Sequence, residues 1–181
     1  MPFGTTVAFF TIGHSTHPLD ELAALLRRAG ARCVVDVRTV PRSRANPQYD
    51  RDTLGEALAA HGIAYRHMAA LGGLRPRAKD VAPETNGFWQ NRSFHNYADY
   101  AMSPAFAAAL RELIALNAAS GPCAVMCAEG LWWRCHRRII ADYLLAAGEQ
   151  VSHILPGGEV KPAELTPAAR RAPHGVLTYP A

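Results

Sequence analysis

Residues 123–138 read CAVMCAEGLWWRCHRR, and this stretch decides the fold. Its first five residues are apolar with no turn former, which suits a strand buried on both faces. Residues 128–134 make a loop around Gly130. From about Cys135 the pattern turns helical, and Gly148 closes the helix. Strand, loop and helix in that order form the unit of a parallel sheet, because parallel neighbours need a crossover connection.

The same alternation extends outward in both directions. Residues 7–12 are a β-branched and aromatic run ended by Gly13-His14-Ser15. A helix follows, with Pro18 in its first turn, Asp20 and Glu21 complementing its dipole, and Gly30 closing it. Residues 33–37 (CVVDV) make a second strand, 52–61 a short helix and 64–67 a third strand. Ser103-Pro104 caps a helix running to about Asn117, with Phe106, Leu110, Leu113 and Ile114 on one face. Residues 151–155 make the last strand. The expectation is a single compact α/β domain: a mainly parallel sheet of about five strands with helices on both faces. Its core spans about residues 6–155, and residues 156–181, Pro-rich and polar, form a tail packed on the surface. Residues 71–96, rich in Gly, Pro and Arg, read as a long loop of the kind that often carries function.

A chain of 181 residues with 49% hydrophobic content folds without a metal or disulfide staple. No apolar run approaches the roughly 20 residues that span a bilayer. Residues 1–10 carry no basic leader region and no small-residue cleavage site, so the protein is expected in the cytoplasm, away from membranes. There, four cysteines do not imply two disulfides. Cys33 and Cys123 lie in apolar runs and read as buried hydrophobes. The net charge of +4 is too small to diagnose nucleic-acid binding, although 17 of the 19 basic residues are arginine, whose planar fork suits phosphate and carboxylate.

The right-handed crossover rule puts all strand C-termini on one edge, where ligands of such sheets bind. His14, Arg38, His67, Cys127 and Glu129 all fall just after strands. Cys127 precedes a helix N-terminus, whose field lowers a thiol pKa, with Arg134 and His136 nearby. Cys127, Glu129 and His14 are therefore the catalytic candidates. Arg38, Arg42, Arg134 and Arg137 are candidates for holding an anion or nucleic acid, together with Arg44, Arg75 and Arg77 on one cationic face. Trp132 and Trp133, with Phe88 and Trp89, could stack on bases or close a lid. Cys127, Cys135 and His136 are the candidate ligands of a Cys/His-bound metal, although the gap between the cysteines lacks short chelate spacing. The run from Cys127 to Arg134 is one residue too long for a cysteine-phosphatase loop. Asp36-Val37-Arg38 with the Cys127 loop faintly echoes single-domain sulfur transferases.

Taken together, Thr11-Ile12-Gly13-His14-Ser15, Asp36-Val37-Arg38 with Pro41 and Ser43, and Cys127-Ala128-Glu129 with Cys135-His136-Arg137 resemble the signature of family 488 of the domains of unknown function. The resemblance runs over about residues 9–155. It implies a compact α/β fold and a shared site at His14, Arg38, Cys127, Glu129, Cys135, His136 and Arg137. It brings no settled activity, and some similar proteins carry a DNA-repair label. Three functions follow for comparison with the structure. The first is a nucleic-acid-associated protein of the DNA-repair or base-processing kind. The second is a cysteine-dependent enzyme on a small anionic ligand, by thiolate attack or sulfur transfer. The third is a metal-binding module.

Overall fold

The computed structural model describes residues 6–181. Residues 1–5, which belong to the stretch read as lacking a leader, lie outside the described residues. Five parallel strands, β1 (Phe9–Gly13), β2 (Cys33–Asp36), β3 (Ala64–His67), β4 (Cys123–Cys127) and β5 (Val151–Ile154), form the sheet expected. A sixth, β6 (Val160–Pro162), adds antiparallel to β5, and the order is β3-β2-β4-β1-β5-β6. No helix among the described residues is long and apolar enough to cross a membrane.

Alternation along each strand divides the core into two layers. Ala124 and Met126 of β4, with Ile12 and Val34, pack on α1 (Leu19–Ala29) and α2 (Arg51–Ala59) through Leu22, Leu26, Leu54 and Leu58. Cys123, Val125 and Cys127 face the other way. There they meet α3 (Arg92–Ala101), α4 (Pro104–Ser120) and α5 (Arg137–Ala146) through Tyr97, Phe106, Leu113, Ile139 and Ile140. The direction of Cys127 is thus set by strand parity, and it points toward the start of α5.

Two segments differ from the sequence reading. The long loop read over 71–96 ends early, because α3 begins at Arg92. Its signal is Asn91, whose side chain accepts hydrogen bonds from the Ser93 and Phe94 amides at 2.9 and 3.4 Å. The polar and aromatic mixture of residues 92–97 masks the apolar face behind it. The C-terminal segment packs against the domain but is more than a covering. Besides β6 it forms a small pair, β7 (Arg170–Arg171) with β8 (Leu177–Thr178), and it buries Leu177 and Tyr179 completely or nearly so. Asp142 of α5 explains the attachment. This carboxylate is buried, its pKa raised by that burial, and its hydrogen-bond donors come from the C-terminal segment: the Thr166 amide at 2.8 Å and the Tyr179 hydroxyl at 2.9 Å.

Tyr179→Ala should therefore lower the stability in urea denaturation by roughly 3–5 kcal/mol, the range for deleting a buried aromatic. Tyr179→Phe should cost about 1–2 kcal/mol through the lost hydrogen bond to Asp142. Equal stability of all three proteins would show the segment to be dispensable.

Candidate functional site

The C-terminal ends of β1, β2 and β4 converge on a cavity of about 490 Å³. Close backbone approach is built in. A Cβ on Gly13 would overlap the Glu129 carbonyl, and one on Gly73 would stand 2.6 Å from His136 Nδ1. Glycine at these positions lets the 128–130 loop reach β1 and lets the segment after β3 reach the start of α5.

At the floor lies a sulfur pair. Cys127 Sγ and Cys135 Sγ are 2.8 Å apart, and both cysteines are free. Arg137 is 0% exposed and donates to everything around it. Its Nε–H reaches Cys127 Sγ at 3.0 Å, Nη1 reaches Thr11 Oγ1 at 3.2 Å, and Nη2 reaches the Glu129 carbonyl at 2.6 Å. Its backbone amide, in the first turn of α5, donates to Cys135 Sγ at 3.3 Å. No carboxylate pairs with this guanidinium among the described residues. Burial pushes the Cys127 thiol up. At Cys135 burial acts in the same direction, but the Cys127 thiol, the Arg137 charge and the α5 amide outweigh it and bring the group down to about 7. The two sulfurs share a hydrogen bond in which Cys135 is the group shifted toward ionisation and Cys127 the one shifted away from it.

Next to the sulfurs, His136 donates from Nε2 to the Val37 carbonyl at 3.0 Å. Its Nδ1 lone pair consequently faces Cys135 Sγ, 3.5 Å away. Across the cavity, Arg38 forms a two-pronged pair with Asp36, Nε to Oδ1 at 2.9 Å and Nη2 to Oδ2 at 2.6 Å. Tyr65 donates to the same carboxylate, and Arg38 Nη2 also reaches the Tyr49 carbonyl. His14 stacks on Tyr49 with ring centroids 4.0 Å apart and donates from Nδ1 to the Ser15 carbonyl at 2.9 Å. Its Nε2 lone pair then faces Arg38 Nη1 at 3.4 Å. Ser15 holds φ at 46°, a left-handed conformation uncommon for a non-glycine residue and frequent where backbone strain serves a site.

The structure brings most candidates together. His14, Arg38, Arg42, Cys127, Glu129, Arg134, Cys135 and His136 all line the cavity. Arg137 stands behind it, against the sulfurs. Glu129 makes its contact with Arg137 through its carbonyl, while its carboxylate accepts from the Leu131 amide at 3.1 Å. The tryptophans are elsewhere. Trp132 stacks on His153 at 4.2 Å, Trp133 is 45% exposed, and Trp89 is packed in the core against Phe94 and Tyr179. Arg75 lies over the Tyr100 ring and serves the fold.

Cys127, Cys135 and His136, the candidate metal ligands, are not arranged as a ligand set. No group of three or more metal-ligating side chains is arranged around an ion among the described residues. Two thiolates on one tetrahedral zinc stand roughly 3.8 Å apart, given a bond of about 2.3 Å, whereas these sulfurs are at 2.8 Å. A cation would also sit beside the buried Arg137.

Sequence reasoning missed Thr11 and His153. The Thr11 hydroxyl accepts from Arg137 and shares a hydrogen bond with His153 Nδ1 at 2.7 Å. Their signals were Thr11 within the Thr11-Ile12-Gly13-His14-Ser15 run and a histidine in the short strand β5. The cavity wall made by Asn91, Ser93 and Phe94 was missed along with the start of α3.

The sequence pattern of a family described as Domain of unknown function DUF488 matches residues 18–144. This span takes in Arg38, Cys127, Glu129 and the Cys135-His136-Arg137 run, and leaves His14 and His153 outside it. No curated protein and no solved structure matches the chain.

His14 and His153 are both held neutral down to about 4, burial being the largest cause in each. Arg38 and Arg137 add to the lowering at His14 and Arg137 at His153, while the Ser15 carbonyl and Asp36 oppose it at His14. In the unfolded chain histidine takes up its proton near 6.5. Between about pH 6.5 and 4 the unfolded state thus binds more protons, so stability is full above this window and lost as pH falls through it. The melting temperature should drop across that range, and the combined His14→Asn, His153→Gln variant should show a shallower drop. An identical slope would contradict the burial of neutral imidazoles.

Proposed function

The chain belongs to the DUF488 family, and we propose that it is a cysteine-dependent enzyme acting on a small anionic substrate, with the Cys135 thiolate as nucleophile. One observation carries this reading. Arg137 is a permanent cation, buried with no carboxylate partner among the described residues; its Nε–H meets Cys127 Sγ and its backbone amide meets Cys135 Sγ. An unpaired buried charge is strongly unfavourable, so a negative partner is required, and an ionised sulfur supplies it. A thiolate formed near neutral pH is the reactive form of cysteine.

The surroundings support the same chemistry. Arg42 and Arg134 offer positive charge at the cavity wall. A cavity of about 490 Å³ suits a metabolite-sized ligand. In the reaction, Cys135 Sγ bonds to an electrophilic atom of the substrate. The Cys127 thiol supplies the proton for the leaving group, and His136 Nδ1 accepts one when Cys135 starts protonated. Arg38, anchored by Asp36 and the Tyr49 carbonyl, holds the cavity wall and meets His14 through Nη1.

In folded protein, iodoacetamide should alkylate Cys135 with half-maximal rate near pH 7, below the roughly 8.5 of a free thiol. Arg137→Met keeps the volume and removes the charge, and should move that midpoint up by at least about one pH unit. Circular dichroism verifies that the variant is folded. A folded Arg137→Met protein with an unmoved midpoint would overturn the proposal.

A second reading rests on Trp133, exposed beside Arg134. An indole and a guanidinium side by side can stack on a base and hold a phosphate, which favours nucleic acid as the anion. On this reading, binding to labelled single-stranded DNA or RNA weakens with salt, and Trp133→Ala loses about tenfold in affinity. No binding at low salt removes it.

A further inference from the structure

Cys127 and Cys135 come from different elements, the end of β4 and the segment ahead of α5, yet their sulfurs stand 2.8 Å apart in the cavity lining. A disulfide bond is about 2.05 Å long, so closure needs a movement of less than about 1 Å. The loop between them ends in the exposed Trp133 and Arg134, where little packing opposes such a shift. The remaining cysteines provide an internal contrast. Cys33 and Cys123 are paired neighbours on β2 and β4, but neither lines the cavity.

We infer that Cys127 and Cys135 form a two-electron dithiol–disulfide couple whose oxidant is a low-molecular-weight disulfide bearing anionic groups. The inference rests on the thiolate reading above for its first step. Cys135 Sγ attacks one sulfur of the substrate disulfide R–S–S–R. A new S–S bond forms, the substrate S–S bond breaks, and one RS⁻ departs. Cys127 Sγ then attacks Cys135 Sγ, the mixed disulfide breaks, and the second R–S leaves with the proton that Cys127 gives up. The protein loses two electrons, and the substrate becomes one thiolate and one thiol. Arg42 and Arg134 on the cavity wall select acidic end groups on R.

The test is incubation of the full chain with oxidised glutathione, whose carboxylates make it an anionic probe, followed by alkylation and peptide mass mapping. Wild type is expected to become two hydrogens lighter through a Cys127–Cys135 bond, with Cys33 and Cys123 alkylated only after unfolding. Cys127→Ser is expected to stop at a glutathione adduct on Cys135. The neutral hydroxyethyl disulfide is expected to react about tenfold more slowly, and Arg42→Ala with Arg134→Ala to narrow that gap. A stable glutathione adduct on wild-type Cys135 overturns the couple. So does the absence of any reaction while iodoacetamide still alkylates Cys135 near pH 7. In both cases the thiolate reading survives. If the iodoacetamide profile also lies at the free-thiol position, both fall.

Discussion

The charge of Arg137 has no route to solvent, and the site is arranged around that constraint. Each of its donors ends on a different element: Thr11 of β1, Cys127 of β4, the carbonyl of Glu129 in the following loop, and, through its backbone amide, Cys135 ahead of α5. The guanidinium therefore joins two neighbouring strands to the helix that follows them. The tie extends one strand further, because Thr11 shares a hydrogen bond with His153 of β5, and Trp132 covers His153. A fixed positive charge in a low-dielectric position also decides the ionisation of what it touches. An imidazole beside it stays neutral, and a thiol beside it gives up its proton more readily.

A second buried arginine shows the alternative solution. Arg38 meets the Asp36 carboxylate through two parallel hydrogen bonds, with Tyr65 and the Tyr49 carbonyl completing the set. All the charge there is neutralised locally, so this pair specifies geometry: it fixes the end of β2 and the imidazole of His14. Two arginines at the same sheet edge thus divide their work by their partners. The one with a carboxylate is structural, and the one with sulfurs makes those sulfurs reactive.

The sequence exposed those features that depend on local pattern. The parallel strands follow from short apolar runs separated by helical stretches. The residues after Gly13, Val37 and Met126 could be placed at one edge by the crossover rule alone. Features that depend on a distant partner stayed hidden. Arg38 and Arg137 both read as anion-binding; Asp36, two residues before Arg38, was a local clue to the partner of the first, whereas nothing local says that Cys127 receives the second. Trp132 and Trp133 are adjacent in sequence, yet one lies on His153 and the other faces solvent. The C-terminal segment looks polar because its attachment runs through few groups, chiefly Tyr179 and Thr166 to Asp142. The start of α3 hid behind aromatic residues that serve its buried face.

The two cysteine pairs show why position along a strand matters more than residue type. Cys33, Cys123, Cys127 and Cys135 all belong to one apolar layer. Cys33 and Cys123 open their strands, on the edge where the parallel strands begin, away from the cavity and from the start of α5. Cys127 closes β4, on the edge where strands end and helices begin, so it inherits a helix start, an arginine and a cavity. Cys135 joins it there because α5 must begin beside that strand end. The polarity of a parallel sheet gathers unsatisfied helix amides on one side only. A cysteine is therefore a buried filler where β4 begins, and where β4 ends it stands against an ionisable partner, Cys135.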